Sequence, residues 1–281
     1  MSIACGSNGS QRTLKRPIEI SGTGLHSGNK STVVISPATV NSGIVFRENG
    51  ERVHGIVTNV VDTSRGTTLG SNGTKVRTVE HLMAALRGAG VDNAFVEVRG
   101  SEIPALDGSA LGYLEAIDAV GTVEQPEKKL ILGLSEPIWV KANDSYILAV
   151  PSKCLRITYI MRYEHPMIGS QSFRFVVREK RFAKEIAPAR TFVLYEEVAG
   201  LKSQQLAKGG NLANAIVIWR DRLSSDLRFQ DELARHKVLD LVGDLALLGG
   251  ELRADIVAVK SGHALNVEFV RRLREAAKRI N

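Results

Sequence analysis

His236, Asp240 and Asp244 recur at i, i+4 and i+8 within residues 229–248, where Leu233, Leu241, Val242, Leu245 and Leu248 keep helical spacing. On a helix the three polar side chains stack along one face. An ionised carboxylate buried among leucines is costly unless it pairs with a cation or binds a metal. The plainer alternative is a polar stripe facing solvent. Glu80-His81 opens a second helical stretch. Neighbours on a helix point about 100° apart, so they do not chelate one ion together, but they can offer a ligand and a base to the same space. His81, His236 and Asp240 then form a two-imidazole, one-carboxylate zinc set whose fourth position is left for water, the catalytic pattern. Zinc acidifies such a water and polarises a carbonyl. Glu80 is placed to take the proton as general base; alternatively it is a first-turn acid favoured by the helix dipole.

His263 lies in Lys260-Ser-Gly-His263, between a strand and a helix. Asp244, one turn beyond Asp240, can pair with it and keep it protonated. That makes His263 a candidate acid for a leaving amine, against a capping or buried structural histidine. Thr191 is a candidate oxyanion donor, and Lys237 a candidate contact to a phosphate or sugar oxygen. His26, His54 and His165 have no comparable setting.

These groups must be held by two helices. The first is opened by Thr78 as N-cap and ended by Gly88 and Gly90; the second, spanning 229–248, is stopped by Gly249-Gly250. After the first come a strand at 93–98, a loop at 102–108 and a helix at 109–119. After the second come a strand at 255–260, a loop at 261–263 and a helix from Asn266. The shared order points to tandem copies of one unit, each a layer of helices on a mostly antiparallel sheet. Helix-to-helix packing of the copies brings His81 and His236 to one interface, and such clefts are where ligand sites form. The polar stretch 121–129, with Pro126, follows a complete unit and sets the division at 1–126 and 127–281. The expected fold class is α+β: two similar α/β sandwich domains in tandem, with helices packed at their interface.

The composition is ordinary for a globular chain: 43% apolar and 24% charged over 281 residues. Lys plus Arg exceed Asp plus Glu by 37 to 30, which suits an anionic partner. Aromatics at 5% argue against a base-stacking nucleic-acid platform. Part of the basic excess lies in 271–279 and reads as the solvated face of a last helix. Cys5 and Cys154 form no C-x-x-C and suggest neither a disulfide framework nor a thiolate metal site. Residues 1–11 read as a loose tail without the apolar core of a signal peptide. No apolar run reaches the ~18 residues of a membrane span. The glycine-rich turn 21–28 lacks the G-K-[ST] of a P-loop. A cytoplasmic, reducing location is expected.

Five motifs fall in order along nearly the whole chain: Thr78-Val-Glu80-His81-Leu; Glu102-Ile-Pro with Asp107-Gly-Ser; Ala189-Arg-Thr-Phe192; Arg235-His-Lys-Val-Leu-Asp240 with Gly243-Asp244; and Lys260-Ser-Gly-His-Ala-Leu-Asn266. Together they resemble the UDP-3-O-acyl-N-acetylglucosamine deacetylases, zinc enzymes of the committed step in lipid A synthesis. The resemblance implies two domains with an insertion in each, the second, 181–219, framing a hydrophobic passage for the substrate's acyl chain. It implies His81, His236 and Asp240 as zinc ligands, Glu80 as general base, and His263 as general acid or electrostatic partner supported by Asp244. Thr191 would polarise the carbonyl, Phe192 pack on the sugar and Lys237 contact substrate. The implied partner is a UDP-linked acylated glucosamine, met by a monomer with peripheral contact to the inner membrane and no nucleic acid. Two rivals stand beside this reading. One is a zinc amidohydrolase of another acylated sugar. The other is a non-catalytic basic binding protein whose structural metal would show a fourth protein ligand.

Overall fold

The computed structural model of the chain describes residues 9–281, so Cys5 and most of the tail expected at 1–11 lie outside the described residues. Six helices are present among them: α1 (Glu80–Gly88), α2 (Leu111–Val120), α3 (Glu179–Glu185), α4 (Tyr195–Ser203), α5 (Glu232–Ala246) and α6 (His263–Ala276).

Two sheets carry the same strand order and sense. In the first the order is Ile18–Thr23, Lys30–Pro37, Ala94–Arg99, Ile44–Glu48, Glu51–His54. In the second, of seven strands, five follow the order Ile138–Ala142, Ser145–Pro151, Glu251–Val259, Arg156–Arg162, Ser170–Val176, and Ile131–Gly133, paired with Glu251–Val259, carries Lys278–Arg279 at its other edge. In both, the middle strand pairs antiparallel with the second and parallel with the fourth. In both, the middle strand is preceded by a helix (α1 or α5) and followed by one (α2 or α6). The chain is thus α+β, with helices on mostly antiparallel sheets, as the repeat led us to expect. Strict alternation produces the buried faces: Ala94, Val96 and Val98 in one middle strand, and Leu252, Ala254, Ile256 and Ala258 in the other. Small additions decorate each half. Val60–Asp62, Thr68–Ser71 and Thr74–Val76 make a separate three-stranded sheet. Phe192–Leu194 pairs in parallel with Ile216–Ile218, with α4 between them.

α1 packs against α5, and this contact changes how α5 reads. It is not an amphipathic helix with a solvated side. His236, Asp240 and Asp244 are buried along with Val238, Leu239, Leu241 and Val242, because the second sheet covers one side and α1 another. Gly243 permits the approach: a Cβ there would collide with the backbone of Glu80. Thr78 does not cap α1. It sits at φ +58, and its hydroxyl donates instead to Glu102 Oε1 at 3.1 Å; α1 begins at Glu80 behind Val79. The polar stretch at 121–129 is not a plain connection either. Thr122–Lys128 pairs antiparallel with Ser10–Leu14, and its polarity is that of an exposed ribbon. Cys154 is disulfide-bonded, where its sequence setting suggested no disulfide framework. No helix among the described residues is long and apolar enough to cross a membrane.

Candidate functional site

The crossing of α1 and α5 brings His81, in the first turn of one, to His236 and Asp240, a turn apart on the other. Nε2 of His81 lies 3.5 Å from Asp240 Oδ1, and Nε2 of His236 lies 3.4 Å from the same oxygen. The rings meet edge to face with centroids 5.1 Å apart. One ligand atom from each residue lies within 4.8 Å of the others. Asp240 Oδ1 is buried without a hydrogen-bond partner among the described residues, while Oδ2 accepts from Lys237 Nζ at 2.8 Å. A buried carboxylate oxygen left open between two imidazoles is unfavourable alone and satisfied by a cation. His236 faces the backbone carbonyl of Ala189 through Nδ1 at 3.1 Å. A carbonyl only accepts, so Nδ1 carries the proton and the Nε2 lone pair is left for a metal. Burial first, then the neighbouring His81 and Lys237, push His236 down to about 4 against the pull of Asp240, which keeps it neutral. Burial opposes the charge on Asp240, but the Lys237 ammonium beside it helps hold the group well below the carboxylate range. Two imidazoles with one carboxylate are a donor set that zinc accepts, so the residues present fit that ion.

Glu80 and His263 face each other beside this trio. Glu80 is 3% exposed, and its Oε2 accepts the Thr67 N–H at 2.9 Å. Burial raises its pKa, with His263 and His81 opposing. Lys260, at φ +52, turns the chain so that His263 Nε2 comes within 3.8 Å of Glu80 Oε1 and 3.9 Å of Asp240 Oδ2. Its Nδ1 donates to Asp244 Oδ2 at 2.9 Å. Burial disfavours the imidazolium, but Asp244, Glu80 and Asp240 together raise His263 to about 10. The outcome is a carboxylate poised to accept a proton opposite a histidine poised to hold one.

Phe192 flanks the trio, its ring centroid 6.3 Å from that of His236, and Lys237 Nζ lies 5.6 Å from the Phe192 centroid. Thr191 precedes Phe192 and is fixed through its backbone. Its N–H donates to Gly108 O at 2.8 Å, and its carbonyl accepts from Ile216 N at 2.9 Å. No hydrogen bond joins its hydroxyl to the cluster among the described residues. The structure therefore gathers His81, His236, Asp240, Glu80, His263, Asp244, Lys237 and Phe192 in one space, with Thr191 beside them.

Sequence reasoning passed over Thr67 and Asn266. Thr67 donates its hydroxyl to Asp244 Oδ1 at 2.6 Å, and Asn266 donates to Asp244 Oδ2 at 2.9 Å. Asn266 stands three residues after His263 on α6, so the helical i, i+3 rule offered a signal. Thr67 offered none. A further buried acid, Glu232, braces the Arg190 segment: Arg190 N, Nε and Nη2 lie 3.0, 2.8 and 3.0 Å from its carboxylate.

Residues 11–275 match the family model of UDP-3-O-acyl N-acetylglycosamine deacetylase. The chain is 44% identical over 271 residues to the UDP-3-O-acyl-N-acetylglucosamine deacetylase of Chlamydia caviae, covering 94% of this chain and 97% of that one. It is 43% identical over 274 residues to the enzyme of that name from Chlamydia pneumoniae, covering 95% and 97%. Against that from Syntrophotalea carbinolica it is 40% identical over 269 residues, covering 94% and 87%.

Proposed function

The chain belongs to the UDP-3-O-acyl N-acetylglycosamine deacetylase family, and from that premise we propose how its own residues carry the reaction. It is an amide hydrolase that releases acetate from UDP-3-O-acyl-N-acetylglucosamine, at the committed step of lipid A synthesis. Zinc is the ion held by His81, His236 and Asp240, where it supplies Lewis acidity towards a carbonyl and towards water. Glu80 takes the proton of the attacking water, a task suited to a buried carboxylate whose pKa is raised. His263, kept charged by Asp244, protonates the departing amine and offsets negative charge on the way to it. Thr191 donates to the developing oxyanion. Phe192 packs on the sugar. Lys237 screens Asp240 and meets the substrate. The domains are 1–126 and 127–281, and the insertion at 181–219 frames the passage for the acyl chain. The enzyme acts as a cytoplasmic monomer in peripheral contact with the inner membrane and takes no nucleic acid.

The observation that carries this reading is the orphaned Asp240 Oδ1 between two imidazole nitrogens, with Glu80 and His263 opening onto the same space. The test is metal analysis of purified protein alongside acetate release from the UDP-sugar. Chelation should abolish release and limited zinc restore it. Release that survives chelation sinks the proposal, and faster turnover of a different acylated sugar moves the substrate assignment.

A further inference from the structure

Thr67 directly precedes the middle strand of the small three-stranded sheet of the first half, yet it is completely buried and belongs to the centre of the site. All three of its polar groups are committed. Its N–H donates to Glu80 Oε2 at 2.9 Å, and its carbonyl accepts from Val79 N at 3.1 Å. These two bonds clamp the residue onto the start of α1. Its hydroxyl crosses to the other half and donates to Asp244 Oδ1 at 2.6 Å. A hydroxyl has a single proton, and a contact of this length to a carboxylate is charge-assisted. The same oxygen lies 3.4 Å from His263 Nδ1.

We propose that Thr67 is a positioning residue that sets the distance between the proton acceptor Glu80 and the His263–Asp244 pair across the two halves. The inference rests on the deacetylase roles given to Glu80 and His263 above. Asp244 Oδ2 is shared by His263 Nδ1 and Asn266 Nδ2, at 2.9 Å each. Both of those donors come from α6, so they fix Asp244 to the second half and do not set its distance from Glu80. The Thr67 hydroxyl on Oδ1 adds the link across the halves, tying Asp244, and through it the His263 ring, to the segment that holds Glu80. The two functions of Thr67 are separable. Glu80 is held by a backbone N–H, which survives substitution; Asp244 is held by the side chain, which does not.

The test uses the full chain as Thr67→Val, Thr67→Ser and, as a spectral marker, His263→Gln. Metal content, KM and kcat on the UDP-sugar are measured, together with the downfield proton resonance of His263 Nδ1–H, identified by its loss in His263→Gln. Thr67→Val should retain its metal and a near-normal KM, lose ~10- to 100-fold in kcat, the scale of a small misplacement of a reacting group, and shift or broaden the resonance. Thr67→Ser, which keeps the hydroxyl, should restore both. Wild-type kcat and an unmoved resonance in Thr67→Val overturn the proposal, as does a serine variant as impaired as valine, since packing of the methyl group would then explain the effect. Should Thr67→Val not fold, Thr67→Cys, with its weak donor, takes its place in the same contrast. A wild-type protein that releases no acetate defeats the functional reading alone, because the resonance still decides whether Thr67 holds Asp244.

Discussion

The two middle strands leave their sheets by the same kind of corner and use it differently. After Ala94–Arg99, Ser101 takes φ +53; after Glu251–Val259, Lys260 takes φ +52. Non-glycine residues rarely adopt this conformation, so the corner is a shared device of the fold. In the first half it delivers Glu102, which is fully buried and accepts from the backbone N–H groups of His26 and Ser27 at 2.8 and 2.7 Å. Its carboxylate is a brace. In the second half the corner delivers His263, which opens onto Glu80 and Asp240. The helices are unequal as well. α1 contributes Glu80 and His81 from its first turn, whereas α5 contributes His236, Asp240 and Asp244 along its length. A repeated scaffold thus decides where side chains emerge, and the halves then divide the work. On the proposed roles, the first would supply the proton acceptor and structural bracing, the second two of the three metal ligands and the proton-donating histidine.

The largest expected effect tests that division directly. Glu80→Gln should lose ~10²- to 10⁴-fold in kcat, the range for a general base, and keep its zinc by elemental analysis. Asp240→Asn should be purified short of metal, because it weakens the carboxylate between the two imidazoles. If Glu80→Gln also came out metal-free, Glu80 would belong to the ligand set and the halves would no longer divide as described.

The half of the site carried on α5 was legible because helical geometry fixes it: His236 and Asp240 at i, i+4 share a face in any α-helix. His81 was legible through the repeated order of elements and the motifs around it. Thr67 was invisible for a physical reason, since one threonine hydroxyl and one backbone N–H leave no periodic trace and act on residues 13 and 177 positions away. Thr78 misled for the same reason. A threonine before a helix reads as an N-cap, but the partner that claims its hydroxyl, Glu102, lies 24 residues on. The sequence left two readings of α5 open, a buried carboxylate row and a wet polar stripe, because the helix alone does not show what covers that face; α1, from the other half, makes it dry.

Next in size is the brace at the start of α5. Glu232 is fully buried and carries the Arg190 guanidinium together with the N–H groups of Arg190 and Arg228. Breaking such a pair from one side costs about 3–5 kcal/mol, so Glu232→Gln should lower Tm markedly. Burial alone would raise the Glu232 pKa, but the Arg190 bonds outweigh it and hold the group below its ordinary value. A carboxyl with a depressed folded pKa adds stability above its unfolded pKa, roughly 4.3, and that stability is lost as pH falls through the folded value. The gap between wild type and Glu232→Gln in denaturant titrations should therefore be full at neutral pH and close under acid. A gap independent of pH would mean that the bracing comes from shape and not from charge. Glu102, the brace of the other half, makes no ion pair with an arginine among the described residues, so Glu102→Gln should cost less, about 1–3 kcal/mol for disturbed buried hydrogen bonds.

The smallest effect probes the seam on which the comparison rests. At Gly243 a Cβ would strike the Glu80 backbone, whereas at Gly262, next to His263, it would meet nothing within 4 Å. Gly262 lies at φ −136, open to any residue, so Gly262→Ala should stay within about 0.5 kcal/mol of wild type. Gly243→Ala must push α1 away from α5 and should cost ~1–3 kcal/mol by overpacking. The push also has a direction. It separates Glu80 and His81 from His236 and Asp240, so zinc affinity should fall along with stability, while Gly262→Ala leaves both intact. If thermal melts and metal competition show Gly243→Ala binding zinc as tightly as wild type, the helix crossing does not set the spacing of the ligands. The insertions, through contacts such as Thr67 to Asp244, would then be what holds the two halves in register.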